Sequence, residues 1–311
     1  MKMSMSLTAK ISIIGLVLIL ACSEKKNPLL IELPIRDLIP EGIAYNTTNG
    51  DIFISSIHRR KIIRIDKDGN WSDFIETGEY GFGDGLGMKV NSQKNLLYAI
   101  SVDTVSSCLF LFDISSGDLV NKYCLPAEVA SFNDLIQVDA QLFLTSWQTH
   151  GLYKWSESEG LKLWLKDSTL AYPNGVAAND KTIFVASSLN GLFAVNSQTK
   201  ELVSLSDSVD RTKGLDGLIY RNGSLFGIQN IFLDHASHAL IQYKLNEDET
   251  SIMDIKTIDK NNPFFNVPTT LCQSSDEIIV LANSQLDNYI EHSILDSTIL
   301  QPTYILKYDL R

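Results

Sequence analysis

Apolar residues alternate with polar ones in short runs along this chain, and the runs come in pairs joined by polar turns. Residues 42–45 and 51–55 form the first pair around Asn49-Gly50, with further runs at 61–66 and 71–75. Alternation at period two predicts strands with one buried face, and Asn-Gly between two such runs predicts a tight hairpin. The same pairing returns at 86–90 with 96–100, 135–138 with 142–146, and 176–178 with 183–187. It recurs at 218–220 with 224–228 and at 270–273 with 278–282. Third runs follow at 109–113, 151–155, 191–196, 239–245 and 304–310.

Each unit opens on a polar turn: Glu41-Gly42, Asp84-Gly85, Asn133-Asp134, Asn174-Gly175, Asp216-Gly217 and Thr269-Thr270. The openings lie 43, 49, 41, 42 and 53 residues apart. A strand-and-turn repeat of roughly 40 to 50 residues is the signature of a β-propeller with one blade per repeat. The expected fold is therefore all-β, a six-bladed propeller. The last repeat ends after three strands, while the apolar run 29–35 precedes the first blade without one of its own. That run is predicted to supply the outer strand of blade 6, closing the ring and removing an exposed edge.

The first residues have a different character. Lys2 and Lys10 flank a charge-poor start, and 11–21 is an apolar run ending at Cys22. It is shorter than the roughly 20 residues a membrane-spanning helix needs and has the layout of a secretory signal. Ala21 before Cys22 makes it resemble a bacterial lipoprotein signal, although Leu20 is bulkier than usual; an ordinary signal peptide or an anchor helix is the plainer alternative. The expected organisation is a signal over 1–21, lipidated Cys22 and a tether over 22–28, and the propeller over 29–311. This places the protein at the cell envelope as a monomer that meets the membrane only through its lipid. The net charge of −11 argues against nucleic acid or an anionic lipid surface as partner. Cys108 and Cys124 fall opposite each other across the hairpin at 115–117, where a disulfide and a pair of packed thiols are both open readings.

In a four-stranded blade the inner strand starts on the face to which the second strand returns. Glu41, Asn133, Asn174 and Asp216 should therefore meet at the channel mouth. Two carboxylates and two amides make an all-oxygen set suited to a hard divalent cation, calcium best, with magnesium or manganese also open. Cysteine and histidine are missing from the set, which argues against zinc. Asp84 and Thr269 complete the expected ring, Asp84 supporting the metal from behind. The plainer reading is turn chemistry alone, since Asn-Gly and Asp-Gly are common tight-turn pairs. His58, His150, His235, His238 and His292 all fall in loops after second strands, on the same expected face. Ser188, Asn230 and Trp147, at second-strand ends, should line the pocket wall with His150. Loops 231–237 and 284–303 are long enough to form a rim or lid.

Pro40-Glu41-Gly42, Phe132-Asn133-Asp134, Tyr172-Pro173-Asn174-Gly175 and Leu215-Asp216-Gly217 resemble successive motifs of the gluconolactonase/regucalcin family, and more distantly of the paraoxonases. The resemblance implies a six-bladed propeller with a catalytic divalent metal, usually calcium, in its channel. Carried over, Glu41, Asn174 and Asp216 would ligate the metal, and Asn133 would be a ligand or a substrate contact. Gluconolactonases usually carry arginine where Ser131 stands, which puts sugar-acid lactones in doubt and leaves a less polar lactone or ester open. The expected activity is metal-dependent hydrolysis, with Asp216 as base and Asp134 or His58 as alternatives. No Gly-x-Ser-x-Gly elbow is present for a serine nucleophile. The rival reading is a non-catalytic envelope propeller that binds a ligand or protein, its metal structural.

Overall fold

The computed structural model describes residues 28–205, 211–231 and 234–310. The expected signal, Cys22 and nearly all of the tether lie outside the described residues. Six four-stranded antiparallel sheets follow one another around an axis. Their inner strands are Pro40–Tyr45, Asp84–Asn91, Phe132–Val138, Pro173–Ala178, Leu215–Arg221 and Leu271–Gln273. Helical geometry among the described residues is confined to three-residue turns, and no helix there is long and apolar enough to cross a membrane.

The two chain ends close the ring. Leu29–Leu33 pairs antiparallel with Thr303–Asp309, so blade 6 takes its outer strand from the N-terminal side and its other three from the C-terminal side. The core is divided into six apolar clusters, one at each interface between adjacent blades. Leu33, 1% exposed, belongs to the cluster joining blade 6 to blade 1, with Ile43, Ile54, Ile279 and Ile305. Truncating it leaves a cavity at the seam where closure depends on a single strand. Leu33→Ala should cost about 2–4 kcal/mol in urea unfolding; an unchanged midpoint would mean that the strand is ornamental. Cys108 and Cys124 sit directly opposite in register and form a disulfide, which resolves the two readings of that pair.

The inner strands differ from expectation in a way that makes the site. Four of the opening residues, Glu41, Asn133, Asn174 and Asp216, are not in turns before the strands; they lie within the strands, at bulges. Pairing skips between Pro40 and Gly42, Gly85 and Met88, Phe132 and Leu135, Pro173 and Val176, and Leu215 and Leu218. A bulge adds an unpaired residue and re-aims its side chain. Here the re-aimed residues are Glu41, Leu86, Asn133, Asn174 and Asp216, and register in blade 6 puts Thr269 at the same place. Asp84 is thus not a member of the ring. It is paired with Val102, two residues nearer the mouth, and blade 2 contributes Leu86 instead. Asp84-Gly85 imitates the motif, but Leu86-Gly87 occupies its register.

Candidate metal centre at the channel mouth

Each ring residue is delivered by a tightly held turn. The residue two before it is left-handed in four blades: Ile39 (φ 45°), Tyr172 (φ 52°), Gly214 (φ 65°) and Val267 (φ 54°). Such φ values are outliers for β-branched or bulky side chains and persist only where surroundings enforce them. The enforcement comes from the end of the second strand. Ser56 Oγ donates to Leu38 O, Ser187 Oγ to Ala171 O (2.6 Å), and, just past the strand end in blade 6, Ser284 Oγ to Val267 O (2.6 Å). The expectations from sequence missed these serines, although a serine recurring at the end of second strands was visible.

Close approach between blades tightens the ring further. A Cβ on Gly175 would lie 2.1 Å from Asp216 O, and one on Gly42 would lie 2.0 Å from Leu86 O. Only glycine lets one blade's bulge touch the next blade's ring residue. Gly175→Ala should therefore push Asn174 and Asp216 apart, destabilising by about 1–3 kcal/mol or more and removing any calcium-induced rise in Tm. A normal calcium response in that variant would contradict the packing argument.

Glu41, Asn133, Asn174 and Asp216 are all less than a tenth exposed. Asp216 Oδ2 accepts from Asn230 Nδ2 at 2.7 Å, and the same amide donates to Pro268 O at 2.8 Å. Asn174 lies near enough to Asp216 to favour its charged form, while Asn174 Oδ1 is buried without a partner among the described residues. Thr269 Oγ1 donates to Glu41 O at 3.4 Å. Burial raises the Glu41 carboxyl well above its usual range, and repulsion from Asp216 and Asp134 raises it further. Burial pushes Asp216 up to about 7 despite the Asn230 and Asn174 amides, with Asp134 adding repulsion. Two desolvated carboxylates beside an unpartnered carbonyl oxygen form a site lacking positive charge. A hard cation would supply it, so the residues present fit a divalent ion held by oxygen. Among the described residues no group of three or more His, Cys, Asp or Glu could hold a metal. The candidate centre therefore depends on its amides.

The other expected residues divide. Asp134 braces the blades: its Oδ1 accepts from Leu135 N (2.8 Å) and its Oδ2 from Val176 N (3.0 Å), tying blade 3 to blade 4. With both oxygens engaged it is a support, not an open base. Burial raises it to about 6, and it faces a channel cavity of about 200 Å³ that Lys89 also lines. Asp84 is held by Arg60 Nε (3.0 Å) and His292 Nδ1 (3.2 Å) on the rim. His58 packs edge-on against Tyr289, and its charged neighbours are Asp37, Arg59, Arg60 and Asp84, none of them a ring donor. It is displaced from the role of base. Asn230 is more than pocket wall, since it orients Asp216.

Ser131, Trp147, His150 and Ser188 come together on the rim of blades 3 and 4 through Trp147 N to Ser131 O (2.9 Å), Ser188 N to Tyr172 O (3.1 Å) and Tyr172 N to His150 Nδ1 (3.3 Å). The histidines do not all surround the mouth. His238 is fully buried with neither ring nitrogen partnered among the described residues, and His235 pairs with Asp287 (3.0 Å) beside a separate pocket of about 360 Å³ between blades 5 and 6. The loop over 284–303 carries a small hairpin, Tyr289–Ile290 with Ser293–Ile294. It crosses from blade 6 over blade 1, where Tyr289 meets His58, and reaches blade 2, where His292 meets Asp84.

No protein-family model matches the chain, and no curated protein matches it in sequence. Solved structures do match. The chain shares its fold with a gluconolactonase. That protein, from Xanthomonas campestris, superposes with a TM-score of 0.61 at 13% identity, covering 89% of this chain and 88% of its own. The calcium-binding protein regucalcin of Agrobacterium tumefaciens gives 0.61 at 14% identity, over 88% and 92%. The major Malassezia sympodialis allergen Mala s 1 gives 0.67 at 14% identity, over 91% and 96%. At these identities the likeness establishes the six-bladed propeller, and one fold serving proteins so differently described leaves chemistry to be argued from the site.

Proposed function

We propose that the protein is a divalent-cation-dependent hydrolase of a lactone or ester, using calcium held by Glu41, Asn133, Asn174 and Asp216. The observation that carries this reading is the pairing of buried Glu41 and Asp216 with the unpartnered Asn174 Oδ1 in one ring of bulges. The fold shared with a gluconolactonase and a calcium-binding regucalcin supports it. When bound, the cation supplies Lewis acidity toward a carbonyl oxygen. Asn230 holds Asp216 by Oδ2 in one orientation, and the other carboxylate oxygen of Asp216 takes the proton of the attacking water as the water oxygen bonds to the carbonyl carbon. The ring or ester C–O bond then breaks, and the proton passes to the departing alkoxide. Asp134 keeps blades 3 and 4 in register beneath the donors.

Hydrolysis of a panel of neutral lactones and phenyl acetate should fall at least about 100-fold on chelation and return with calcium. Full turnover after chelation would sink the mechanism. Metal binding without any turnover would favour the non-catalytic propeller, whose cation is structural.

The described chain enters blade 6 at the face away from the mouth: Leu29 pairs with Lys307, and Leu33 with Thr303 at the mouth end. A lipid on Cys22 would thus hold the mouth away from the anchoring membrane. Labelled palmitate incorporation that persists in Cys22→Ser would rule out this anchor.

A further inference from the structure

Three residues past the ring on each inner strand stand Ala44, Lys89, Ile136, Ala177, Ile219 and Cys272, and all six line the channel cavity of about 200 Å³. None of the ring residues lines that cavity. Lys89 is the single charge of this tier, where the other blades place aliphatic side chains or a thiol. Burial lowers its ammonium below its usual range, and its charge is felt by Cys272 on blade 6, so the side chain reaches into the channel. Asp134 is also within its electrostatic reach but gives both oxygens to backbone N–H groups. A buried ammonium among such walls needs an anion beside it.

Gln273, one residue further from the mouth, has the opposite need. Its Nε2 donates to Tyr220 O (3.2 Å), while its Oε1 is buried without a partner among the described residues. An orphaned acceptor calls for a donor. Tyr45, Tyr220 and Gln273 line both the cavity and a pocket of about 600 Å³ on the face away from the mouth, so the two spaces adjoin there. Arg221, whose guanidinium donates to Ser274 O (2.9 Å) and to Ser275 O, lines the outer pocket. Among the described residues lining the two spaces, Asp134 is the one carboxylate. Glu249, behind Tyr220, is taken up by the Tyr220 hydroxyl (2.7 Å) and Asn179 Nδ2 (2.7 Å). The approach from that face therefore favours an anion.

We propose that this cavity is a second ligand site, entered from the face away from the mouth, for a short-chain hydroxycarboxylate monoanion. Its carboxylate lies on Lys89 Nζ, its hydroxyl donates to Gln273 Oε1, and its hydrocarbon packs between Ala44, Ile136 and Ile219. One ammonium balances one charge, and Asp134 repels a second, so a monoanion fits where a phosphate or a dicarboxylate does not. A cavity below the roughly 300–1,000 Å³ of drug-sized sites suits a molecule of a few carbons. Lys89 and Gln273 together select a ligand that accepts at one end and donates at the other. The site stands apart from the hydrolase reading, because no ring residue lines it.

The test is calorimetric titration of the full chain at pH 7.5 in low-chloride buffer, with 3-hydroxybutyrate, butyrate and chloride as sodium salts. The hydroxy acid should bind about 10-fold or more tighter than butyrate, and chloride more weakly than either. Affinity should be the same with calcium and with chelator. Lys89→Met should weaken both carboxylates about 30-fold or more. Gln273→Leu should bring the hydroxy acid down to the affinity of butyrate and leave butyrate unchanged. Circular dichroism checks that each variant folds; if Lys89→Met does not, the Gln273→Leu comparison decides alone. Binding unaltered in either folded variant, or seen only with calcium, would overturn the cavity as the site. Equal affinity for the two carboxylates, or a preference for chloride, would leave Lys89 a plain counter-ion and overturn the ligand class. No binding of any of the three would leave the cavity to water and overturn the proposal.

Discussion

Asp216→Asn should lose lactone hydrolysis by at least about 100-fold and lose the calcium-induced rise in Tm, yet unfold at a higher temperature than the wild type when both are free of metal. The two effects have one cause. Asp216 is buried beside Glu41 and Asp134 and titrates near 7 because ionising it there is costly. Asparagine keeps the shape while removing a charge whose solvation is not replaced. Without cation, that removal relieves repulsion on Glu41. With cation, it would delete a proposed charged ligand and the proposed base together. Scanning calorimetry with and without chelator, alongside the lactone assay, measures both arms. A metal-free variant less stable than the metal-free wild type would show that Asp216 is held by its amides for structure and not for charge.

The second large effect is in the pH dependence of the calcium response. A carboxyl whose folded pKa lies above its unfolded value keeps its proton in the native state after the unfolded chain has released it. Stability from such a group is greatest at low pH and falls as pH rises from near 4 to its folded pKa. Asp216 rises to about 7 and Asp134 to about 6, and Glu41 shifts the same way. Metal-free protein should therefore lose stability from these groups between pH 5 and 7.5, where cation binding gains from each proton already gone. The calcium-induced rise in Tm should be roughly 5 °C or more at pH 7.5 with calcium about 100-fold above its Kd, and much smaller at pH 5. His238 works in the opposite sense, because burial lowers it to about 4 and favours its neutral form as pH rises. It contributes equally with and without calcium, so the difference in Tm isolates the mouth. An equal response at both pH values would mean that the carboxylates do not face the ion.

Much of the architecture could be read from alternation. Strand pairs around Asn49-Gly50 and its equivalents predicted six blades, and the unpaired run before blade 1 predicted closure at Leu29–Leu33. The equivalent placement of Glu41, Asn133, Asn174 and Asp216 was also legible, because glycine or aspartate follows each at blade spacing. Reading failed where a motif and its register came apart. Asp84-Gly85 looks like Asp216-Gly217, but pairing of Gly85 with Ser101 puts Leu86 in the ring and Asp84 on the rim. Composition around a dipeptide cannot show which residue a bulge will leave unpaired. The histidines failed for a related reason: a shared loop type put five of them on one face, but packing buried His238 and turned His235 toward Asp287.

By itself the sequence determined a closed ring of six antiparallel sheets and the four oxygen-bearing side chains it would carry. Those follow from local alternation, turn chemistry and repeat spacing, each set by residues close together in the chain. Only the tertiary structure decided that these four side chains sit on bulges, that Leu86 takes the place of Asp84, and that Asn230, Ser56 and Ser187 hold the mouth in shape. It also drew Trp147 and Tyr172 into one corner. These depend on contacts between blades and between strand ends, where a shift of one or two residues in register changes which side chain reaches the channel.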